Sequence, residues 1–133
     1  MKALTTILLL ITISYTTAQE VVNEKNIKFI IDSSSLQVIK LNSDSNATSF
    51  AILIKDSVKA HYHSKHTESL MVLDGEAEMQ MGDKTVNIKK GDFFVIPPKM
   101  IHAVRVTSKV PLKVISVQAP EFLGEDRIWV ENK

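Results

Sequence analysis

From Leu36 onward the chain never runs far without a turn signal, and that punctuation limits the folds open to it more than any other feature. Leu36 to Leu41 alternates apolar and polar residues with some slippage, and Asn42-Ser43-Asp44-Ser45-Asn46 is a turn cluster. Ser49 to Ile54 is rich in strand formers. Leu70-Met71-Val72-Leu73 reads as a buried strand ended by Asp74-Gly75. Glu76 to Met81 alternates strictly, with Ala77, Met79 and Met81 on one face. Gly82-Asp83 then makes a tight turn into Lys84 to Lys89, whose Val86 and Ile88 face inward. Lys90-Gly91-Asp92 turns the chain again, and Pro97-Pro98 ends Phe93 to Ile96. His102 to Val106 places His102, Val104 and Val106 together, and Leu112 to Val117 is the last strong strand. An earlier apolar run, Ile27 to Ile31, is a further strand candidate. The stretch from Glu20 to Lys25 is the weakest of helix candidates and too short to organise anything. Evenly spaced short strands without a helix-length amphipathic segment predict an all-β sandwich or barrel.

A chain of 133 residues has the length of one domain. Residues 1–18 have the layout of a secretory signal peptide. Met1-Lys2 is a basic start, Ala3 to Ile13 an apolar centre, and Ser14 to Ala18 a small-residue exit with Ala18 at the cleavage point. That apolar run is short for a membrane span, so no stable membrane insertion is expected once it is removed. Residues 19–133 are read as one exported domain, periplasmic or secreted. Lys2 is the sole charge before Glu20, so its removal leaves 15 basic residues against 15 acidic ones. With no basic patch and no charge block, nucleic acid is not an expected partner. The absence of cysteine is compatible with an oxidising compartment, with no disulfide holding the fold. Asn46-Ala47-Thr48 fits the N-glycosylation pattern but reads first as a polar turn.

The chemistry concentrates in His61-Tyr62-His63-Ser64-Lys65-His66-Thr67-Glu68. All four histidines of the protein are His61, His63, His66 and His102. In an extended chain His61 and His63 share a face, Glu68 opens the next strand, and His102 heads a strand whose alternate residues face inward. Imidazoles and a carboxylate converging on one point are ligands for a first-row transition metal. His66, between the pair and Glu68, is open to three roles: fifth ligand, general base or exposed loop residue, the last being the plainest. Met79, Met81, Phe94 and Ile96 are candidate cavity-lining residues, or simply core. Lys99 and Arg105 are either solvated or near the mouth, where they would meet an anion. Ile128-Trp129-Val130 is an edge strand or a cover over the barrel mouth.

These residues resemble the cupin superfamily, whose first motif is G-x5-H-x-H-x(3,4)-E-x6-G. His61, His63, Glu68 and Gly75 match it, and Lys55 stands where its opening glycine belongs. The second motif is G-x5-P-x-G-x2-H-x3-N. Gly91, Pro97 and His102 match, with Lys99 replacing the inner glycine and Val106 the final asparagine. The resemblance covers residues 61 to 106. It implies a double-stranded β-helix (a jelly-roll barrel) with a metal inside, held by His61, His63, Glu68 and His102. Three neutral imidazoles and one carboxylate around one divalent transition metal ion leave positions for water, dioxygen or a bidentate substrate. Iron or manganese is favoured; zinc, nickel, cobalt and copper also suit the set.

The resemblance implies a metal-dependent enzyme acting on a small organic molecule, of dioxygenase, isomerase or lyase type, with Glu68 or His66 as catalytic base. A non-catalytic small-molecule-binding module and a secreted metal-sequestering protein are the alternatives. Cupins of this size often pair through a sheet edge, so a homodimer is expected, with Ile27–Ile31 as a candidate for the exchange.

Overall fold

A computed structural model describes residues 21–30 and 34–130; the signal-peptide reading of residues 1–18 lies outside them. Among the described residues, ten strands follow a 3-10 turn at Glu24–Asn26. They are β1 (Leu36–Ser43), β2 (Thr48–Ile54), β3 (Ser57–His63), β4 (Thr67–Asp74), β5 (Glu76–Met81), β6 (Lys84–Lys89), β7 (Phe93–Ile96), β8 (His102–Val106), β9 (Leu112–Ala119) and β10 (Arg127–Trp129). They form two antiparallel five-stranded sheets, in the orders β1-β2-β9-β4-β7 and β10-β3-β8-β5-β6. Side chains alternate across each strand, so each sheet turns one face inward and the two inner faces make the core. Leu70, Val72 and Val114 of the first sheet close on Ala77, Met79 and Val104 of the second, all buried.

The turn signals fall where the chain reverses. Gly82 and Asp83 join β5 to β6 with Gly82 at a φ of +59°, and the register pairs Met81 with Lys84 across that turn. At Asn42–Asn46, the Asp44 carboxylate caps the turn by accepting from the Asn46 and Ala47 amides. Thr48, at the end of the glycosylation pattern, is fully buried, which favours the plain turn.

One expected strand is absent. Ile27 to Ile30 has no ladder partner, and Ile31 lies outside the described residues. The run is apolar but lacks alternation, and Ile30 is exposed. Among the described residues the edge of that sheet is β1.

Gly75 links β4 to β5 at a φ of +83°, and a Cβ there would sit 2.7 Å from the Pro111 carbonyl oxygen and 2.9 Å from Leu112 Cα. Gly82 has a similar φ and open space around it. Gly82→Ala is expected to cost about 1 kcal/mol from the left-handed backbone alone. Gly75→Ala should cost about 2–3 kcal/mol, because the backbone of β9 must also move. Urea denaturation of both variants checks the ranking.

Candidate metal centre

The inner face changes character along each strand. In β9 the inward residues run Leu112, Val114, Ser116, Gln118; read from the same end of the barrel, those of β4 run Val72, Leu70, Glu68 and those of β8 Val104, His102. Register lines the polar ends up, with Glu68 opposite Gln118 and His61 opposite His102. One end of the interior is thus apolar and the other carries buried polar groups that must find partners.

β3 reaches that end through a bulge. Val58 pairs with Val104, but His61 pairs with His102, one residue out of step. Val58 packs on the core, so unbroken alternation would turn Ala60 and Tyr62 inward. The extra residue switches the face, and His61 and His63 become the buried ones while Tyr62 stays half-exposed opposite Ile128.

Each ligand imidazole is tied down at Nδ1. His61 Nδ1 lies 2.9 Å from Lys59 O, His63 Nδ1 3.0 Å from Asp126 O, and His102 Nδ1 3.0 Å from Met100 O. A carbonyl only accepts, so each Nδ1 carries the proton and each Nε2 presents a lone pair. His63 Nε2 and His102 Nε2 are buried without any hydrogen-bond partner. Glu68 Oε2 stands 3.5 Å from both. The other Glu68 oxygen is taken up by Ser116 Oγ at 2.5 Å and Gln118 Nε2 at 3.2 Å. Ligand atoms of His61, His63 and His102 all lie within 4.8 Å of one another. Two donors on one ion, each at about 2.1 Å, stand roughly 3–4 Å apart. Three free imidazole lone pairs and one free carboxylate oxygen therefore fit a divalent cation.

Electrostatics agree with that donor set. Burial, with the neighbouring His102, lowers the His61 pKa to about 4, so its imidazole stays neutral. Burial alone would raise Glu68, but its polar contacts with His102 and His63 and the hydrogen bond from Ser116 outweigh it and hold the carboxyl well below its usual range.

His66 is not an exposed loop residue. It is buried, one step before β4 and in phase with Glu68. Its Nδ1 bonds Asp126 Oδ2 and its Nε2 lies 2.9 Å from Glu121 O. Both partners are acceptors, so each ring nitrogen faces one of them and the ring is held between Asp126 and Glu121. Asp126 also accepts from the Ser64, Lys65 and His66 amides and from Ser64 Oγ. Burial would raise its carboxyl, but these bonds, Ser64 first, pull it far down. A second grouping of ligand atoms, His63, His66 and Asp126, is thereby filled by its own hydrogen bonds.

Other expectations sort as follows. Met79 and Phe94 line the inner cavity beside His61, Glu68 and His102, whereas Ile96 is core and Met81 packs against it. Arg105 is exposed and paired with Glu78, away from the site. Lys99 is exposed at a φ of +69°, the left-handed conformation that explains why the motif prefers glycine there. Its amide donates to His63 O at 2.6 Å, which ties the β7–β8 turn to the ligand strand. Ser116 and Gln118 are not singled out by the sequence reading, although polar residues in the inward phase of a strand are the signal that would have found them. Asp126, Phe122 and Arg127 carried no comparable signal in the polar tail.

Lowered His61 basicity sets the acid response of the metal-free protein. Between pH 6.5 and about 4 the unfolded chain takes up this proton and the folded chain does not. The stability from keeping His61 neutral is thus fully present above pH 6.5 and falls as pH drops toward 4. Thermal denaturation of chelator-treated protein should show that decline, with a shallower slope in His61→Gln.

Residues 50–118 match the profile described as "Cupin domain". An uncharacterized protein of Aquifex aeolicus is 33% identical over 96 residues, 72% of this chain and 78% of that one. Mannose-1-phosphate guanylyltransferase RfbM of Salmonella typhimurium is 33% identical over 90 residues, 66% of this chain, which spans only 19% of that enzyme's length. Among solved structures, TT1209 of Thermus thermophilus superposes with a TM-score of 0.69 at 19% identity, covering 77% of this chain and 98% of that one. Pac13, described as a nucleoside dehydratase, gives 0.61 at 13% identity, covering 79% and 92%. Motif residues, two-sheet barrel and sequence match agree: this chain belongs to the cupin domain family.

Proposed function

We propose that this chain is an exported, metal-dependent enzyme acting on a small organic molecule, with His61, His63, Glu68 and His102 as ligands. The observation that carries this reading is the pinning of all three imidazoles at Nδ1, which leaves buried Nε2 lone pairs at His63 and His102 beside a free Glu68 oxygen. Buried polar atoms without partners cost free energy, and a cation converts that cost into binding. Iron or manganese is the first choice. A bound ion would polarise substrate oxygens as a Lewis acid and, if redox-active, support oxidative chemistry of dioxygenase type as well as isomerase or lyase chemistry. The chain's own residues do the rest. Ser116 and Gln118 hold Glu68 ionised and oriented, and the apolar half of the barrel keeps bulk water from the ligands. His66 serves as a positioning residue for the β3–β4 turn.

Export rests on the layout of residues 1–18. A homodimer is part of the proposal, supported by exposed Met71, Phe93 and Val95 on the outer face of β4 and β7. The narrowness of the inner cavity, about 50 Å³, favours a second reading, a metal-sequestering cupin without turnover.

The test is elemental mass spectrometry of the purified chain, prepared without a chelating tag, beside His63→Ala and His102→Ala. About one equivalent of a single transition metal is expected, lost in both variants. No metal after anaerobic reloading with Fe(II) and Mn(II) refutes the enzyme reading.

A further inference from the structure

β10 brings a cation to the metal site. It pairs antiparallel with β3, Arg127 opposite His63 and Trp129 opposite His61. Facing residues of an antiparallel pair lie on the same side of the sheet, so Arg127 and Trp129 share the side of the ligands. The Trp129 ring is 5.2 Å from that of His61, and the Arg127 guanidinium carbon is 5.8 Å from the Trp129 centroid. Among the described residues no carboxylate pairs with Arg127, and its Nε is buried without a hydrogen-bond partner. A half-buried guanidinium whose sole contact of note is an aromatic face keeps a fork of donors unanswered, and that fork matches a carboxylate.

Arg127 also stands between two spaces. It lines the inner cavity with His61, Glu68 and His102. It lines as well an outer cleft of about 410 Å³ walled by Val38, Phe50, Phe122 and Trp129. The inner cavity has room for a water or two; the cleft has the size of a small-molecule site. Its walls are mostly apolar and aromatic, with the Gln118 amide among them, and it ends on a cation beside the candidate ligands.

We propose that Arg127 anchors the carboxylate of a small organic acid whose apolar body lies in this cleft, with its charged end presented to the metal site. This names a substrate class for the activity proposed above and rests on that reading. Arg127 is a specificity-determining residue here, and Trp129 is part of the wall.

Trp129 is the only tryptophan of the chain, so its fluorescence reports the cleft directly. The metal-loaded protein is titrated with phenylacetate and hexanoate, and with phenylacetamide and hexanamide as neutral counterparts, beside Arg127→Gln and Arg127→Lys. Metal content is measured on each sample. Saturable binding of the acids, weak or absent binding of the amides, and a loss of about tenfold or more in Arg127→Gln at unchanged metal content support the anchor. Arg127→Lys should fall between, since it keeps the charge without the fork. Equal binding of acid and amide, or acid binding unchanged in Arg127→Gln, overturns the anchor while the metal reading stands. Acid binding that depends on Arg127 in a chain that takes up no metal sinks the metal-enzyme reading and leaves the anchor. If Arg127→Gln does not fold, the acid-against-amide comparison on the parent decides.

Discussion

The carboxylate of Asp126 is the contact on which the polar end of the barrel depends. It answers three successive amides of the β3–β4 turn, the Ser64 hydroxyl and the His66 ring. That turn carries His63 on one side and Glu68 on the other. Without an acceptor the His66 amide would be buried and unpaired, at a cost of about 1–3 kcal/mol, and the part-buried Ser64 and Lys65 amides would lose their partner as well. The backbone of the same residue, through Asp126 O, fixes the tautomer of His63. One residue of the tail thus shapes the loop between two ligands and aims one of them.

The tail is held in place by contacts of a different kind. The Phe122 amide donates to Thr48 Oγ1 at 3.0 Å, and its ring meets Phe50 edge-on at 5.8 Å and His66 at 5.5 Å. The segment after β9 therefore wraps the mouth of the barrel and lays β10 along β3. Ligand set, supporting hydrogen bonds and cleft wall form one cooperative unit, although they come from opposite ends of the domain.

The fold was legible because turn chemistry and alternation agree over most of the chain. Gly82-Asp83 and the strict Glu76–Met81 alternation define a hairpin with no long-range information. The candidate ligands were legible because three of the four histidines crowd into one short stretch and the fourth heads a strand of inward alternation. Three features were not. Ile27–Ile30 is apolar enough for a strand, but strand formation depends on a partner that composition does not reveal. His66 reads as a loop residue because its partner, Asp126, lies 60 residues downstream. The bulge in β3 leaves no mark in the sequence, since it is a matter of how Lys59 and Ala60 sit against β8.

That bulge makes the metal centre depend on parity. The identity of the inward residues beyond Val58 is decided by one uncounted position, not by the histidines themselves. Removing a single residue between Val58 and His61 and restoring regular pairing would put His61 two places after Val58, on the same inward face and still opposite His102. Regular pairing at the present length would instead turn Ala60 and Tyr62 inward and His61 and His63 outward, with every histidine still in the chain. A count of ligand residues is then a poor guide to whether a relative keeps this inward set; the spacing back to the preceding core residue has to be read together with the strand pairing.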